Sequence, residues 1–192
     1  MQAVSESSTV VTGVITGVLS SLMASMVFIW LVSRIRPSFK ISKYMARSID
    51  KDGVVTYRVK FINRTRYRVH DISLNFFRVC SKRAPGNDRT TSLHTFEPIG
   101  LTKNKVEFME PYAPRKDKDA FYAARVRILE DIGLCWSRDI YYRLEISGHH
   151  SLSGIRWCET MEFVNPSICV IDGEFFHGSN LEVSPDIRPP YS

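Results

Sequence analysis

From Ser7 to Ser33 no side chain carries a formal charge, and from Val10 to Val32 the run is almost continuously apolar. A helix rises ~1.5 Å per residue, so this stretch covers roughly 35 Å, enough to cross a hydrocarbon core of ~30 Å. A cleaved signal peptide would open on basic residues and hold a shorter apolar run, roughly 7–15 residues. Here the only charge before Arg34 is Glu6, and the run is too long. The sequence therefore predicts a transmembrane helix over residues 9–33, with a short extracytoplasmic N-terminus at 1–8 and a basic juxtamembrane link at 34–43.

Charge sets the orientation. All 26 Lys and Arg residues lie from Arg34 onward, against all but one of the 20 acids. Arg34, Arg36, Lys40, Lys43 and Arg47 crowd the C-terminal flank, while the N-terminal flank has no basic side chain. Positive flanks stay in the cytoplasm, so the N-terminus is expected outside and the following domain inside. Trp30 falls near the inner boundary, where interfacial aromatics sit. On this topology the sequon Asn63-Arg64-Thr65 would not be modified.

Within the helix, small and large residues separate. Thr9, Gly13, Gly17, Ser21 and Ser25 form one small row and Thr12, Thr16, Ser20 and Ala24 another. The rows of Val10, Val14, Val18, Leu22 and Met26 and of Val11, Ile15, Leu19, Met23 and Val27 are large. In lipid, helices associate by close backbone approach across small residues and by hydroxyl hydrogen bonds. Gly13, Gly17, Ser20, Ser21 and Ala24 are the expected association face, toward a second copy or a membrane-protein partner. The plainer reading is that Gly and Ser are simply common in membrane helices.

Past Arg34 the hydrophobic period becomes two. Val55, Tyr57, Val59 and Phe61 alternate with Thr56, Arg58 and Lys60, and Ile72, Leu74 and Phe76 with Ser73 and Asn75. The same holds for Ala124, Val126 and Ile128, for Tyr142, Leu144 and Ile146, and for Met161 and Phe163. Such stretches are half-buried antiparallel strands. Turn signals fall at Asp52-Gly53, Pro85-Gly86-Asn87-Asp88, Gly148, Gly154, Asn165-Pro166 and Asp172-Gly173. Together they predict a β-sandwich or barrel over residues 38–180, followed by a Pro-rich tail at 181–192. Arg115 to Asp119 reads as a solvated loop. Trp136, Trp157, Phe76, Phe121, Tyr142 and Phe163 are expected in the core.

Candidate chemistry is sparse. Cys80, Cys135, Cys158 and Cys169 show no C-x-x-C spacing, so they read as free, partly buried thiols of a reducing compartment rather than zinc or redox ligands. His149 and His150 follow Gly148 in an apparent turn, where polar residues are expected, and neighbours in a strand would point to opposite faces and chelate one metal poorly. Gly148 to Gly154 does not fit a G-x-S-x-G elbow around Ser151 or Ser153. His70-Asp71 reads as a strand opening. Arg64, Arg66 and Arg68 around Tyr67 could grip phosphate or nucleic acid, but read better as a solvated loop tip. Neither an enzyme, a metal, a cofactor, nucleic acid nor a small-molecule substrate is expected.

The residues Arg36-Pro37, Phe39, Ser42, Asp52-Gly53, Tyr57-Arg58-Val59 and Asn63 resemble the start of the cytoplasmic domain of inward-rectifier potassium channels. Leu144-Glu145-Ile146-Ser147-Gly148, leading through Gly154 to Gly173-Glu174-Phe175, is similar to its end, so the likeness spans most of residues 36–177. It implies an all-β immunoglobulin-like sandwich of the E-set kind after the single transmembrane helix. It does not imply conduction, since the sequence holds no T-x-G-Y-G filter. In that family basic residues below the membrane hold anionic phospholipid head groups, which makes Arg34, Arg36 and Lys40 candidate lipid contacts; their other reading is the ordinary positive-inside flank. The expected function is a membrane-anchored cytoplasmic interaction module whose partners are the bilayer and a second copy or membrane protein. The alternative is a small pore-forming or channel-associated subunit lined by Thr12, Thr16, Ser20 and Ser21.

Overall fold

Residues of alternating polarity place one face of a strand in a core and the other toward water, and here the alternating stretches form the centres of two sheets. The computed structural model describes residues 3–34, 38–49, 53–83, 92–113, 121–137, 139–150 and 156–185. The chain divides into two units, Met1–Arg36 and Pro37–Ser192. The first is the helix α1 (Ala3–Arg34). The second contains β1 (Phe39–Ile41), β2 (Met45–Ile49), β3 (Val55–Asn63), β4 (Val69–Arg83), β5 (Ser92–Ile99) and β6 (Lys105–Met109). It continues with β7 (Ala123–Ile128), a 3-10 turn (Ile132–Cys135), β8 (Ile140–His150), β9 (Arg156–Phe163), the short helix α2 (Pro166–Cys169), β10 (Val170–Phe175) and β11 (Val183–Pro185).

β3 organises the first sheet. One of its edges receives β1 at Phe61 to Asn63 and β2 at Val55 to Arg58, and the other receives β7, all antiparallel. β2 is paired on its far side, in parallel, by β10, which in turn carries β11. The long strand β4 organises the second sheet. It takes β5 and β6 along one edge and β8 along the other, with β9 outermost. Val59, Phe61 and Val126 of the first sheet share one core with Leu74, Phe76, Leu144 and Ile146 of the second, a sandwich-like arrangement. Phe76 stacks on Tyr142 at 5.7 Å between centroids, and Trp136 meets Tyr142 edge-on at 4.8 Å.

Several expectations are corrected by this packing. Gly148 is no turn: it lies inside β8 and faces Val69 and Ile72, where an added Cβ would stand 2.9 Å from Val69 Cγ1. The close approach goes with a bulge in β4, between His70 and Ser73, where Asp71 takes a left-handed φ of 49°. Asp172-Gly173 likewise lies within β10. Asn165 instead caps α2, accepting from the Ser167 amide. Phe121 is exposed rather than in the core, while Phe76, Tyr142 and Phe163 are fully buried and Trp136 and Trp157 pack against them in part. The four cysteines are free, but Cys135 and Cys158 are exposed rather than partly buried. The stretch read as a tail contributes β11, whose Val183 is buried. The turn signals Pro85 to Asp88 and Gly154, the loop Arg115 to Asp119, and residues 186–192 lie outside the described residues.

Candidate functional site

The apolar span runs from Thr12 to Leu31, and none of it is buried within the chain. At 3.6 residues per turn, Gly13, Gly17, Ser20, Ser21 and Ala24 fall within an arc of about 100°. A Cβ built on Gly13 or Gly17 meets nothing within 4 Å, so the small face is an open notch. Its hydroxyls are turned onto their own helix. Thr16 Oγ1 donates to Thr12 O at 2.7 Å, Ser20 Oγ to Gly17 O at 3.0 Å and Ser25 Oγ to Ser21 O at 2.9 Å. Such back-bonding satisfies each hydroxyl proton in a medium without water and leaves the oxygen as an acceptor. A contact through this face would therefore rest on backbone proximity more than on these three hydroxyls as donors.

Of the proposed lipid contacts, Arg34 ends α1, Arg36 lies outside the described residues, and Lys40 is exposed on β1. Lys40 and Lys43 line a cleft of about 410 Å³ together with Tyr44 and Met161, and Glu159 and Glu182 line it too. Two lysines and two glutamates leave the cleft close to neutral, which weakens its attraction for an anion.

The arginine turn after β3 is built around Asn63. That side chain is fully buried: Nδ2 donates to Tyr67 O and to Glu110 O, both at 3.0 Å, and Oδ1 accepts from the Thr65 amide at 2.9 Å and from the Thr65 hydroxyl. Arg64 lies over the Tyr112 ring, and Arg68 pairs with Glu110 while covering Phe108. Arg64 and Arg68 thus dress the domain itself, and Arg66 is exposed.

A second polar knot lay hidden in the alternation. Lys60 was expected to face water but is 1% exposed. Its Nζ donates to Phe176 O at 2.7 Å and to Asn180 O at 2.6 Å, and Arg125 Nη2 reaches Phe176 O at 3.0 Å. Ser42 Oγ donates to Leu181 O at 2.8 Å. The segment 176–181 thus folds over the outer face of the first sheet, where Ala46, Phe175 and Val183 form a small second core. The one sequence signal was the break in alternation after Lys60, where Phe61 and Ile62 are both apolar.

Elsewhere the charges are paired across strands: Arg47 with Asp172, Arg58 with Glu174, Arg143 with Glu162 and Arg78 with both Glu97 and Glu130. Hydrogen bonding to Asp172 raises Arg47 above its ordinary value, and Glu162 does the same for Arg143. Burial pushes the phenols of Tyr57 and Tyr142 up, with Asp131 adding to the first. Desolvation also lifts the Cys158 thiol, with Glu145 in support. His149 and His150 lie within β8 rather than in a turn, and His149 pairs with His70 across the strands. Among the described residues no group of three or more His, Cys, Asp or Glu could hold a metal ion. Compared with protein-family models and with curated proteins, the chain matches none.

Proposed function

We propose that this chain is a single-pass membrane protein whose cytoplasmic β-sandwich is an interaction module, gathered into oligomers by the small face of α1. The observation that carries this reading is the helix span from Thr12 to Leu31, long and apolar enough to cross a membrane, with its large apolar side chains exposed. A helix of that kind must be buried in something, and a bilayer is the environment its length fits. The open notch at Gly13 and Gly17 supports association between helices. The basic flank supports a cytoplasmic domain, and the four free cysteines suit a reducing compartment. Tethering raises the effective concentration of the domains, so weak contacts between them or with a partner become useful.

The sandwich is further proposed to be immunoglobulin-like, of the E-set kind. Its strand neighbours support this: β1 and β2 act as one broken first strand beside β3 and β7, facing a sheet ordered β5, β4, β8, β9. That is the division of strands between two sheets found in immunoglobulin folds with an added strand. Arg64 and Arg68, singled out from the sequence, lie over rings of the domain itself.

Alkaline carbonate extraction followed by crosslinking in native membranes tests the reading. The chain should stay in the membrane pellet and give discrete crosslinked species that collapse in the Gly13→Leu, Gly17→Leu variant. Release into the supernatant would reject the span, and crosslinking unchanged by the variant would move assembly to the sandwich.

A further inference from the structure

The chain contains one N-x-[ST] sequon, Asn63-Arg64-Thr65, and the fold uses it as a structural knot. A carboxamide has two N–H donors and one oxygen acceptor. Both donors of Asn63 are engaged by backbone carbonyls, at Tyr67 and Glu110, and its oxygen holds the Thr65 amide and hydroxyl. Asn63 has no exposed surface, and Thr65 is 7% exposed. Asn63 also closes the end of β3, where its own backbone amide donates to Tyr122 O at 2.8 Å and the next amide, Arg64, to Ser38 O at 2.7 Å.

Asparagine-linked glycosyl transfer takes place at this same nitrogen. Nδ2 loses one hydrogen as a proton and bonds to C1 of the sugar. The bond from C1 to its lipid-pyrophosphate carrier breaks, and the electron pair leaves with the carrier. The product amide has one N–H left for two buried carbonyls, and a bulky polar sugar at a position with no path to water. An orphaned buried carbonyl and an enclosed sugar are each incompatible with the packing.

We infer that Asn63 makes folding of the domain conditional on the side of the membrane it reaches. A copy whose domain enters a compartment with asparagine-linked glycosyl transfer is modified on the nascent chain and cannot close the β3 turn. A copy whose domain stays in the cytoplasm keeps the bare amide and folds. This rests on the membrane span and orientation proposed above, and turns the buried sequon into a filter against inverted insertion.

The full chain is translated into glycosylating microsomes in its natural form and with a Lys-rich N-terminal extension that reverses its orientation. Each is made with and without an inhibitor of the lipid-linked sugar donor, then digested with protease after the vesicles are opened by mild detergent. The reversed chain should gain one endoglycosidase-sensitive mobility shift and lose the protease-resistant domain band. Under the inhibitor, the same reversed chain should keep that band, which shows that the extension itself does not prevent folding. A glycosylated chain as resistant as the unmodified one would overturn the inference, as would a reversed chain left unmodified without inhibitor. A glycan on the natural chain would overturn the orientation instead, and its digestion would then judge the coupling separately.

Discussion

Tyr142 joins three parts of the core. Its ring lies between Phe76 and Trp136, and its hydroxyl donates to Ile132 O at 3.1 Å, holding the 3-10 turn against β8. Tyr142→Phe keeps the ring but orphans a buried carbonyl, and should cost about 1 kcal/mol in denaturant unfolding at neutral pH. Burial raises the phenol above the ordinary value of about 10, so the folded state holds the proton more firmly than the unfolded chain. The linked stability is therefore complete below about pH 10 and is lost as pH rises through the raised folded value. The stability gap between the natural protein and Tyr142→Phe should accordingly narrow above pH 10; a gap constant into that range would show that the phenol titrates alike in the folded and unfolded chain. Gly148 acts through space rather than charge. Its would-be Cβ meets Val69 Cγ1 at 2.9 Å and both Ile72 and Phe39 at 3.3 Å, so Gly148→Ala should destabilise by roughly 1–3 kcal/mol through overpacking. A melting temperature equal to that of the natural protein would mean that the β4 bulge yields.

At the scale of elements, the segment 176–181 is held to the first sheet by side chains of three others: Lys60 on β3, Arg125 on β7 and Ser42 between β1 and β2. Lys60→Met removes the buried ammonium while filling much of its volume, and leaves Asn180 O without that donor. Hydrogen exchange should then speed up in 176–182 and along β11 while β4 and β8 keep their protection. Uniform acceleration across both sheets would instead make Lys60 a determinant of the whole core. Lys60 also marks where the sequence stops being legible. Alternation revealed β3, β4, β7, β8 and the end of β9, because apolar and polar residues alternate along them, even in β3, whose polar face is itself largely covered. It concealed β5, whose residues Leu93 to Pro98 are all exposed, so no period exists to read. It concealed β1, β2, β10 and β11 because they are too short to show a period. Glycine signalled turns at Gly148 and Gly173, whereas the fold uses the first for close contact between β8 and β4 and sets the second inside β10 with φ 140°. The helix was plain from composition alone. The Lys60 knot was not, since its carbonyl partners Phe176 and Asn180 are far along the chain, and the Asn63 knot is completed only by distant Glu110 beside its local partners Thr65 and Tyr67.

For the whole molecule, the helix and the sandwich would divide the work of assembly and stability if the helix gathers copies as proposed. Phe61, Phe76, Tyr142 and Phe163 give the second unit its own core. A fragment of residues 37–192 should therefore unfold cooperatively and melt within a few degrees of the domain in the full chain. Assembly should behave oppositely. If the notch at Gly13 and Gly17 gathers copies, the full chain in mild detergent sediments as an oligomer while the fragment sediments as a monomer at the same concentration. Weak contacts between sandwiches would then be felt only through the tether, where effective concentration reaches about the millimolar range for short connections. A fragment that is itself oligomeric would place the primary contact on the sandwich, with the free edges of β5 and β9 as the first surfaces to block. A fragment that is monomeric but melts far below the full chain would show instead that assembly stabilises the fold by mass action. In that case dilution of the full chain should lower its melting temperature, and the Gly13→Leu, Gly17→Leu variant should start from that lower value at every concentration.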